Sequence, residues 1–226
     1  MKNMIYAEGV HKYYDAGEVK VHALRGLNLS VKDGEMVGII GPSGAGKTTL
    51  MNCLSGLDTI SKGKVWVDGK NYVTMSDKDK TRMRAQKMGF IFQFYNLLPV
   101  LTAVENVEIP LLLSGKSKDS RSRAEKALNI VGLGHRYDHR PSALSGGERQ
   151  RVTIARAIVN EPDIIWADEP TGDLDSVTSE RILDILVKLN EMIGHTMVLI
   201  THEKDIAERA NRILYMENGV IQKRLK

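Results

Sequence analysis

Residues 5–14 and 21–31 alternate between apolar and polar side chains at every second position, which predicts two half-buried β-strands. Asp15-Ala16-Gly17 between them has the composition of a turn, so the strands are predicted to pair as an antiparallel sheet. Shorter apolar runs predict further strands at 36–40, 64–69, 88–92, 163–167 and 196–200. The run at 88–92 is typical of a strand buried on both faces.

The middle of the chain changes to helical spacing, with apolar residues three and four positions apart between Thr102 and Gly132. These positions are Val104, Val107, Leu111, Ala124, Ala127, Leu128 and Val131. No strand is evident there, so this section, continued by a helix at 146–159, is predicted to be a helical subdomain inserted into an α/β core. Other helices are predicted at 50–57, 77–86, 178–193 and 203–210, and a closing hairpin pairs 212–216 with 220–224 around Asn218-Gly219.

Composition narrows the class of protein. A chain of 226 residues with 42% hydrophobic content can bury a large core, so disorder is not expected. The net charge of +4 is mild, and its densest cluster, at 78–87, is diluted by Asp77 and Asp79. We interpret that cluster as a solvated helix face, with a nucleic-acid or anionic-lipid patch as the alternative, and expect no nucleic-acid partner.

Two further features indicate the compartment. The single cysteine, Cys53, forms no intrachain disulfide, which suits a reducing environment. No apolar run approaches the ~18 residues of a membrane span, and the amino terminus lacks the apolar core of a secretory signal. We therefore expect a cytoplasmic protein.

A glycine-rich loop lies between the predicted strand at 36–40 and the predicted helix at 50–57. Its residues are Gly41, Pro42, Ser43, Gly44, Ala45, Gly46, Lys47, Thr48 and Thr49. Strand, loop and helix in this order are the context of a phosphate-binding loop, whose N–H groups point into one hollow at the helix start. Lys47 would reach the β- and γ-phosphates, and the Thr48 hydroxyl would bind Mg²⁺. An ordinary turn would not explain the Lys-Thr ending, so we predict a P-loop NTPase core that binds a nucleoside triphosphate.

Two adjacent carboxylates, Asp168 and Glu169, follow the apolar strand at 163–167. Sheets of α/β proteins bind ligands at the carboxyl ends of their strands. We assign Asp168 to Mg²⁺, through a coordinated water, and Glu169 to polarising the water that attacks the γ-phosphate. A strand that happens to end in two acids is the alternative, and the phosphate-binding loop argues against it.

The pentapeptide Leu144-Ser145-Gly146-Gly147-Glu148 separates this chain from most P-loop proteins. Ser145 is a good helix N-cap, and the two glycines leave the first-turn N–H groups uncovered, which gives a second anion-binding helix start. With this motif the chain resembles the nucleotide-binding subunit of an ATP-binding cassette (ABC) transporter, over nearly its whole length. The motifs stand in that family's order, at Lys47, Gln93, Ser145, Asp168-Glu169, Asp175 and His202.

The resemblance implies roles for further residues. Tyr14 matches the aromatic residue that stacks on adenine, with Tyr13 as the alternative. Gln93 matches a glutamine that binds Mg²⁺ and water and senses the membrane partner, and His202 matches a histidine that contacts the γ-phosphate. Asp175 matches an aspartate that crosses the dimer interface. With Glu169, the residues Gln93 and His202 form the expected catalytic set.

The resemblance also implies an architecture and a function. We expect one ABC ATPase domain over 1–226, with a core and antiparallel β subdomain at about 1–95 and 160–226 and a helical subdomain at about 96–159. Two copies would pair head to tail around two MgATP, so that Ser145, Gly146, Gly147, Glu148 and Asp175 of one copy act on the ATP of the other. This homodimer would drive a membrane permease, which would hold it at the inner face of the cell membrane. The alternative is the ATPase of a non-transporting complex, in cell division or mechanotransmission.

Three loop segments, at 92–99, 102–107 and 170–175, are similar to a subgroup that serves lipoprotein-releasing, macrolide-exporting and cell-division ABC systems. The chain between Lys47 and Ser145 is too short for the coiled-coil insertion of a DNA-repair ABC ATPase, and translation-factor relatives usually carry two cassettes. Leu97, Leu98 and Pro99 are too apolar for a free loop, so we predict that they line a groove for a partner's helix.

Overall fold

The computed structural model describes residues 2–17 and 19–222. The chain divides into two compact units, Met1–Thr81 with Gly194–Lys226 and Arg82–Ile193. The predicted helical subdomain lies within the second unit, which also contains two strands and the long helix that follows residue 175.

The first unit contains the predicted antiparallel sheet, whose strands lie in the order β2-β1-β4-β5. β1 (Asn3–Ala16) and β2 (Val19–Lys32) pair along their whole length, as their period-two alternation predicts. β4 (Lys62–Val67) pairs antiparallel with the other side of β1, and a turn at Asp68-Gly69 leads into β5 (Lys70–Asn71). Most apolar positions of the alternation are buried, including Ile5, Val10 and Leu24, whereas Val21 is exposed.

The first unit also contains parallel strands. β3 (Met36–Ile40) lies parallel to β8 (Thr196–Ile200) and to β9 (Arg212–Glu217), and all residues of β3 and β8 are buried. β10 (Val220–Gln222) closes a hairpin with β9, and residues 223 and 224 of the predicted strand lie outside the described residues. α1 (Lys47–Ser55) begins earlier than predicted, and α7 (Lys204–Ala207) is shorter than the predicted helix at 203–210.

The second unit is mainly helical. β6 (Met88–Phe92) and β7 (Ile164–Asp168) form a parallel pair, and α2 (Asp77–Lys87) crosses the boundary at residue 81. The other helices are α3 (Ala103–Leu113), α4 (Ser120–Ile130), α5 (Gly146–Ile158) and α6 (Ser176–Ile193). α3 and α5 both begin at capping boxes, formed by Thr102 with Glu105 and by Ser145 with Glu148, which explains why these starts were predictable.

The predicted fold class is confirmed: parallel strands with helices form an α/β core, accompanied by an antiparallel sheet and a helical section. None of the helices formed by residues 2–17 and 19–222 has the length and apolar content that a membrane span requires.

Candidate nucleotide-binding site

The glycine-rich loop passes so close to neighbouring backbone that two of its positions admit only glycine. At Gly41, where φ is 155°, a Cβ would lie 1.9 Å from the carbonyl oxygen of Met216. At Gly46, where φ is 99°, a Cβ would lie 2.8 Å from the carbonyl oxygen of Ala23. The loop can therefore leave β3 and turn directly into α1, as a phosphate-binding loop must.

The start of α1 is suited to an anion. Gly46 is its N-cap and, among the described residues, makes no side-chain cap hydrogen bond, so the positive end of the helix faces the loop. The Lys47 ammonium donates to the carbonyl oxygens of Gly41 at 2.8 Å and of Pro42 at 3.1 Å. These bonds hold a positive charge at the loop itself, where the phosphates of a nucleotide would meet it.

The two candidate adenine-stacking tyrosines differ in their surroundings. Tyr14 donates its hydroxyl to Asp58 Oδ2 at 2.7 Å and also bonds Thr49, which belongs to α1. Burial, together with the bond to Asp58, raises the pKa of Tyr14 to about 12. Tyr13 instead stacks on His22, with 4.2 Å between ring centroids. Tyr14 is thus the tyrosine that lies beside the phosphate-binding helix, and one face of Tyr13 is already covered.

Lys12 and Asp58, which sequence reasoning missed, fix Tyr14 in place. The Lys12 ammonium donates to Asp58 Oδ1 at 2.7 Å and lies 4.7 Å from the centroid of the Tyr14 ring. Lys12 is only 7% exposed, and a buried charge of this kind requires a partner. A lysine on the apolar face of an alternating strand was the available signal, but the sequence did not identify its partner.

His202 lies at the same sheet edge as the loop. β3 and β8 are parallel with Ile39 opposite Ile200, and the amide of Thr201 donates to the carbonyl oxygen of Ile39 at 3.2 Å. The carboxyl ends of both strands therefore meet, which brings exposed His202 to the edge where the phosphate-binding loop begins.

The second unit brings Gln93, Asp168 and Glu169 together in the same way. Phe92 of β6 is opposite Asp168 of β7, so Gln93 and Glu169 both follow this pair at one sheet edge. Glu169 has a φ of 48°, a left-handed conformation that strains any residue other than glycine and is frequent at functional sites. Gln93 Nε2 donates to Asp173 Oδ1 at 3.2 Å, a partner that the sequence did not predict.

Ser145 and Glu148 form the start of α5. Ser145 Oγ accepts from the amide of Glu148 at 3.2 Å, and Glu148 Oε2 accepts from the amide of Ser145 at 2.8 Å. The bond from the Ser145 backbone is the main cause that lowers the pKa of Glu148, and Arg136, at 3.0 Å from Oε1, adds to it. Because the Ser145 hydroxyl acts as an acceptor in this box, its proton can be donated to a phosphate.

Asp175 lies beside this helix start. Its carboxylate accepts from the amide of Thr178 at 3.0 Å and from the Thr178 hydroxyl at 2.7 Å, and these bonds lower the pKa of Asp175. Residues 144–148, which we call the signature motif, contribute residues 145–148 to the lining of a cavity of about 590 Å³. The rest of its lining includes Asp175 and the side of α6 as far as Lys188. The structure thus brings the five residues predicted to act on the other copy's ATP to one surface of the second unit.

A phosphate-binding loop after a buried parallel strand, two carboxylates after another such strand and a second glycine-rich helix start together define a P-loop ATPase of the ABC type. The chain belongs to the ABC transporter family, whose pattern matches residues 24–172.

The chain is 49% identical to an uncharacterized ABC transporter ATP-binding protein of Thermotoga maritima, over 98% of this chain and 95% of that protein. It is 44% identical to the lipoprotein-releasing system ATP-binding protein LolD of Xanthomonas oryzae, over 97% of this chain and 90% of that protein. A solved dimeric structure of the ATP-binding cassette MJ0796, in a post-hydrolysis state bound to ADP and Pi, superposes with a TM-score of 0.91. That cassette, from Methanocaldococcus jannaschii, is 42% identical, over 99% of this chain and 98% of the other. The predicted resemblance to ABC ATPases, including the lipoprotein-releasing subgroup, is confirmed.

Proposed function

We propose that the protein hydrolyses ATP as a homodimer whose two copies pair head to tail around two MgATP, and that this cycle drives a membrane partner. The proposal is supported by two anion-binding helix starts in one chain, α1 with Lys47 and α5 with Ser145. One triphosphate needs only one phosphate-binding loop, so we assign the second helix start to the ATP of the other copy. The dimeric relative bound to ADP and Pi is consistent with this arrangement.

The residues assigned to ATP and Mg²⁺ fit those ligands. Tyr14 would stack on adenine, and residues 41–49 would bind the phosphates through backbone N–H groups and Lys47. Thr48, Gln93 and Asp168 offer the oxygen ligands that Mg²⁺ prefers. The bond from Gln93 Nε2 to Asp173 supports this role, because it fixes the side-chain amide and leaves the oxygen of Gln93 as the ligand atom. Bound Mg²⁺ would neutralise phosphate charge.

The Glu169 carboxylate is the group that we assign to catalysis of hydrolysis. As a general base it would polarise a water for attack on the γ-phosphate, while His202 contacts that phosphate and Lys47 balances its charge. The Ser145 hydroxyl and the N–H groups at the start of α5 would bind the same γ-phosphate from the opposite copy, with Glu148 and Asp175 at that interface. Departure of the γ-phosphate removes these contacts, so hydrolysis followed by release of phosphate would open the dimer.

Exposed apolar side chains in the second unit support a membrane partner. Phe94 is 75% exposed, Leu98 49% and Val100 72%, all within one short segment after Gln93. An exposed apolar group of this kind marks a protein interface. We propose that a cytoplasmic helix of an integral membrane protein binds here and holds the ATPase at the inner face of the cell membrane. The relative LolD, named for a lipoprotein-releasing system, suggests a partner of that type.

The variant Glu169→Gln tests the shared site, because it removes the general base with little change in shape. Turnover is expected to fall by ~10²–10⁴. With ATP the variant should elute as a dimer in size-exclusion chromatography, and with ADP but no phosphate it should elute as a monomer. Adding Ser145→Arg places a bulky side chain where the opposite γ-phosphate binds, and should restore the monomer with ATP. A Glu169→Gln protein that stays monomeric at saturating ATP, or that keeps the wild-type rate, would refute the proposal.

A further inference from the structure

Two arginines of α5, Arg149 and Arg156, contact the loop that follows Gln93. Arg156 donates to the carbonyl oxygens of Asn96 at 2.5 Å and of Tyr95 at 2.7 Å. Burial lowers the pKa of Arg156, so its charge is held there at a cost in desolvation. Tyr95 has a φ of 46°, which is unfavourable for a bulky side chain, and Asn96, a residue type that tolerates this region better, has a φ of 50°. Arg156 therefore stabilises a strained backbone.

Arg149, two turns earlier on α5, contacts the side chain of the same tyrosine. Its guanidinium carbon lies 5.1 Å from the centroid of the Tyr95 ring, which is a cation–π distance. The same guanidinium donates to the carbonyl oxygen of Leu144 at 2.7 Å. Leu144 immediately precedes Ser145, the N-cap of α5. The Arg149 side chain thus connects Tyr95 to the residue that precedes the N-cap of α5.

The hydroxyl group of Tyr95 lies beside Gly146 at the start of that helix. A Cβ at Gly146 would lie 3.3 Å from the Tyr95 hydroxyl oxygen, which is tighter than nine in ten Cβ contacts. The tyrosine therefore packs directly on the first residue of α5. A displacement of the loop must move this ring, and the ring cannot move towards α5 without displacing the helix start.

We propose that Tyr95 and Arg149 form the mechanical link through which the loop after Gln93 positions Ser145. This inference rests on the proposed function, in which Phe94 and Leu98 of that loop bind the membrane partner and Ser145 binds the opposite copy's ATP. A partner that displaces the loop then displaces Leu144 and Ser145 as well. Partner binding and ATP-dependent dimerisation are coupled in both directions as a consequence. Arg149 is a positioning residue, because it acts on ATP through Ser145.

A double-mutant cycle in the Glu169→Gln background tests the link. Dimer dissociation constants with ATP would be measured by analytical ultracentrifugation for Arg149→Met, Tyr95→Leu and their combination. The pair is already formed in the single chain, so each single variant should weaken dimerisation only as far as Ser145 leaves its binding position. The full cation–π contribution of both copies sets the upper limit, about fivefold to thirtyfold in the dissociation constant. The combination should be little worse than either single variant. Tyr95→Phe keeps the ring that Arg149 contacts and loses only the hydroxyl beside Gly146, so it should weaken dimerisation less than Tyr95→Leu. ATP affinity of the monomer, to which Lys47 and the loop at 41–49 contribute most, should not change in any variant, because none of the substitutions touches that loop.

Additive effects, or unchanged dimerisation in both single variants, would overturn the link. Hydrogen exchange of the monomer without nucleotide provides a measurement that does not depend on dimerisation. Tyr95→Leu should accelerate exchange at residues 148–150 more than Tyr95→Phe does, and equal exchange in the two would also overturn the link. Failure of the Glu169→Gln parent to dimerise would instead refute the proposed function, and the exchange measurement would still decide the link.

Discussion

At the scale of single residues, Lys47 provides the clearest test of the phosphate site. No other lysine lies in the loop, and its ammonium already bonds two loop carbonyls. Lys47→Ala should weaken ATP binding about tenfold to a hundredfold, which corresponds to the 1.5–3 kcal/mol of a hydrogen bond to a charged group. Equilibrium titration with ATP would measure this. The control is Lys62→Ala, an exposed lysine of β4, which should bind ATP like the wild type. Unchanged affinity in Lys47→Ala would contradict the site.

Site residues that belong to a short sequence motif were predictable. Site residues whose role depends on a contact with a residue far away in the sequence were not. Lys47, Ser145 and Glu169 belong to short motifs whose chemistry is contained in a few neighbouring positions. Asp58 and Asp173 have no such motif, because their roles come from contacts with Lys12 of β1 and with Gln93, which follows β6. Likewise the sequence favoured Tyr14 over Tyr13 only through the family resemblance, since the folded sheet is what places Tyr14 beside Thr49.

At the scale of elements, helix starts with capping side chains were predicted better than those without. Ser145 followed by Glu148 is a capping box, so α5 begins where the sequence predicts. α1 begins at Lys47, whereas the apolar pattern placed its start at Leu50. Its first turn is Lys-Thr-Thr after a left-handed glycine, and neither the hydrophobic spacing nor a capping residue marks it. That uncapped start is the feature that suits it to a phosphate.

The capping box of α5 should make this element sensitive to acid. The bonds to Ser145 and Arg136 lower the pKa of Glu148 in the folded protein below its ordinary 4.5. These bonds therefore stabilise the protein above that value, and their contribution is lost as pH falls through the lowered pKa. Glu148→Gln can still form a capping box but has no charge to lose. The difference in unfolding free energy between wild type and Glu148→Gln, measured in urea from pH 6 to pH 3, should move in favour of the variant on acidification. A constant difference would show that Glu148 does not titrate with folding.

At the scale of the whole molecule, the order of motifs predicted the family, but the motifs are distributed over both units. The phosphate-binding loop and His202 belong to the first unit, and Gln93, Glu169 and the signature helix belong to the second. Each set is gathered by local rules, because parallel strands end at one sheet edge. The head-to-tail proposal brings a second copy to complete the site. The motifs of one chain do not show how two copies are arranged.

A single substitution at Leu98 can test the proposed partner surface separately from the ATPase activity of the subunit. Leu98 has a half-exposed side chain, while its backbone amide and carbonyl are both bonded by the buried side chain of Asn106, at 2.8 and 3.1 Å. The loop backbone is therefore held independently of the Leu98 side chain. Leu98→Asp should leave the ATPase activity of the isolated subunit within about twofold of wild type, because a surface substitution of this kind costs little stability.

The same substitution should abolish stimulation by the membrane protein that co-purifies with the subunit, since it places a charge in an apolar interface. Ile130→Asp is the matched control: Ile130 is 56% exposed at the end of α4, outside the loop, and this variant should keep both basal and stimulated activity. Equal loss of basal activity in Leu98→Asp would show that the side chain belongs to the core. Full stimulation of Leu98→Asp would show that the partner binds another surface. The partner would then not act directly on the loop that contains Tyr95.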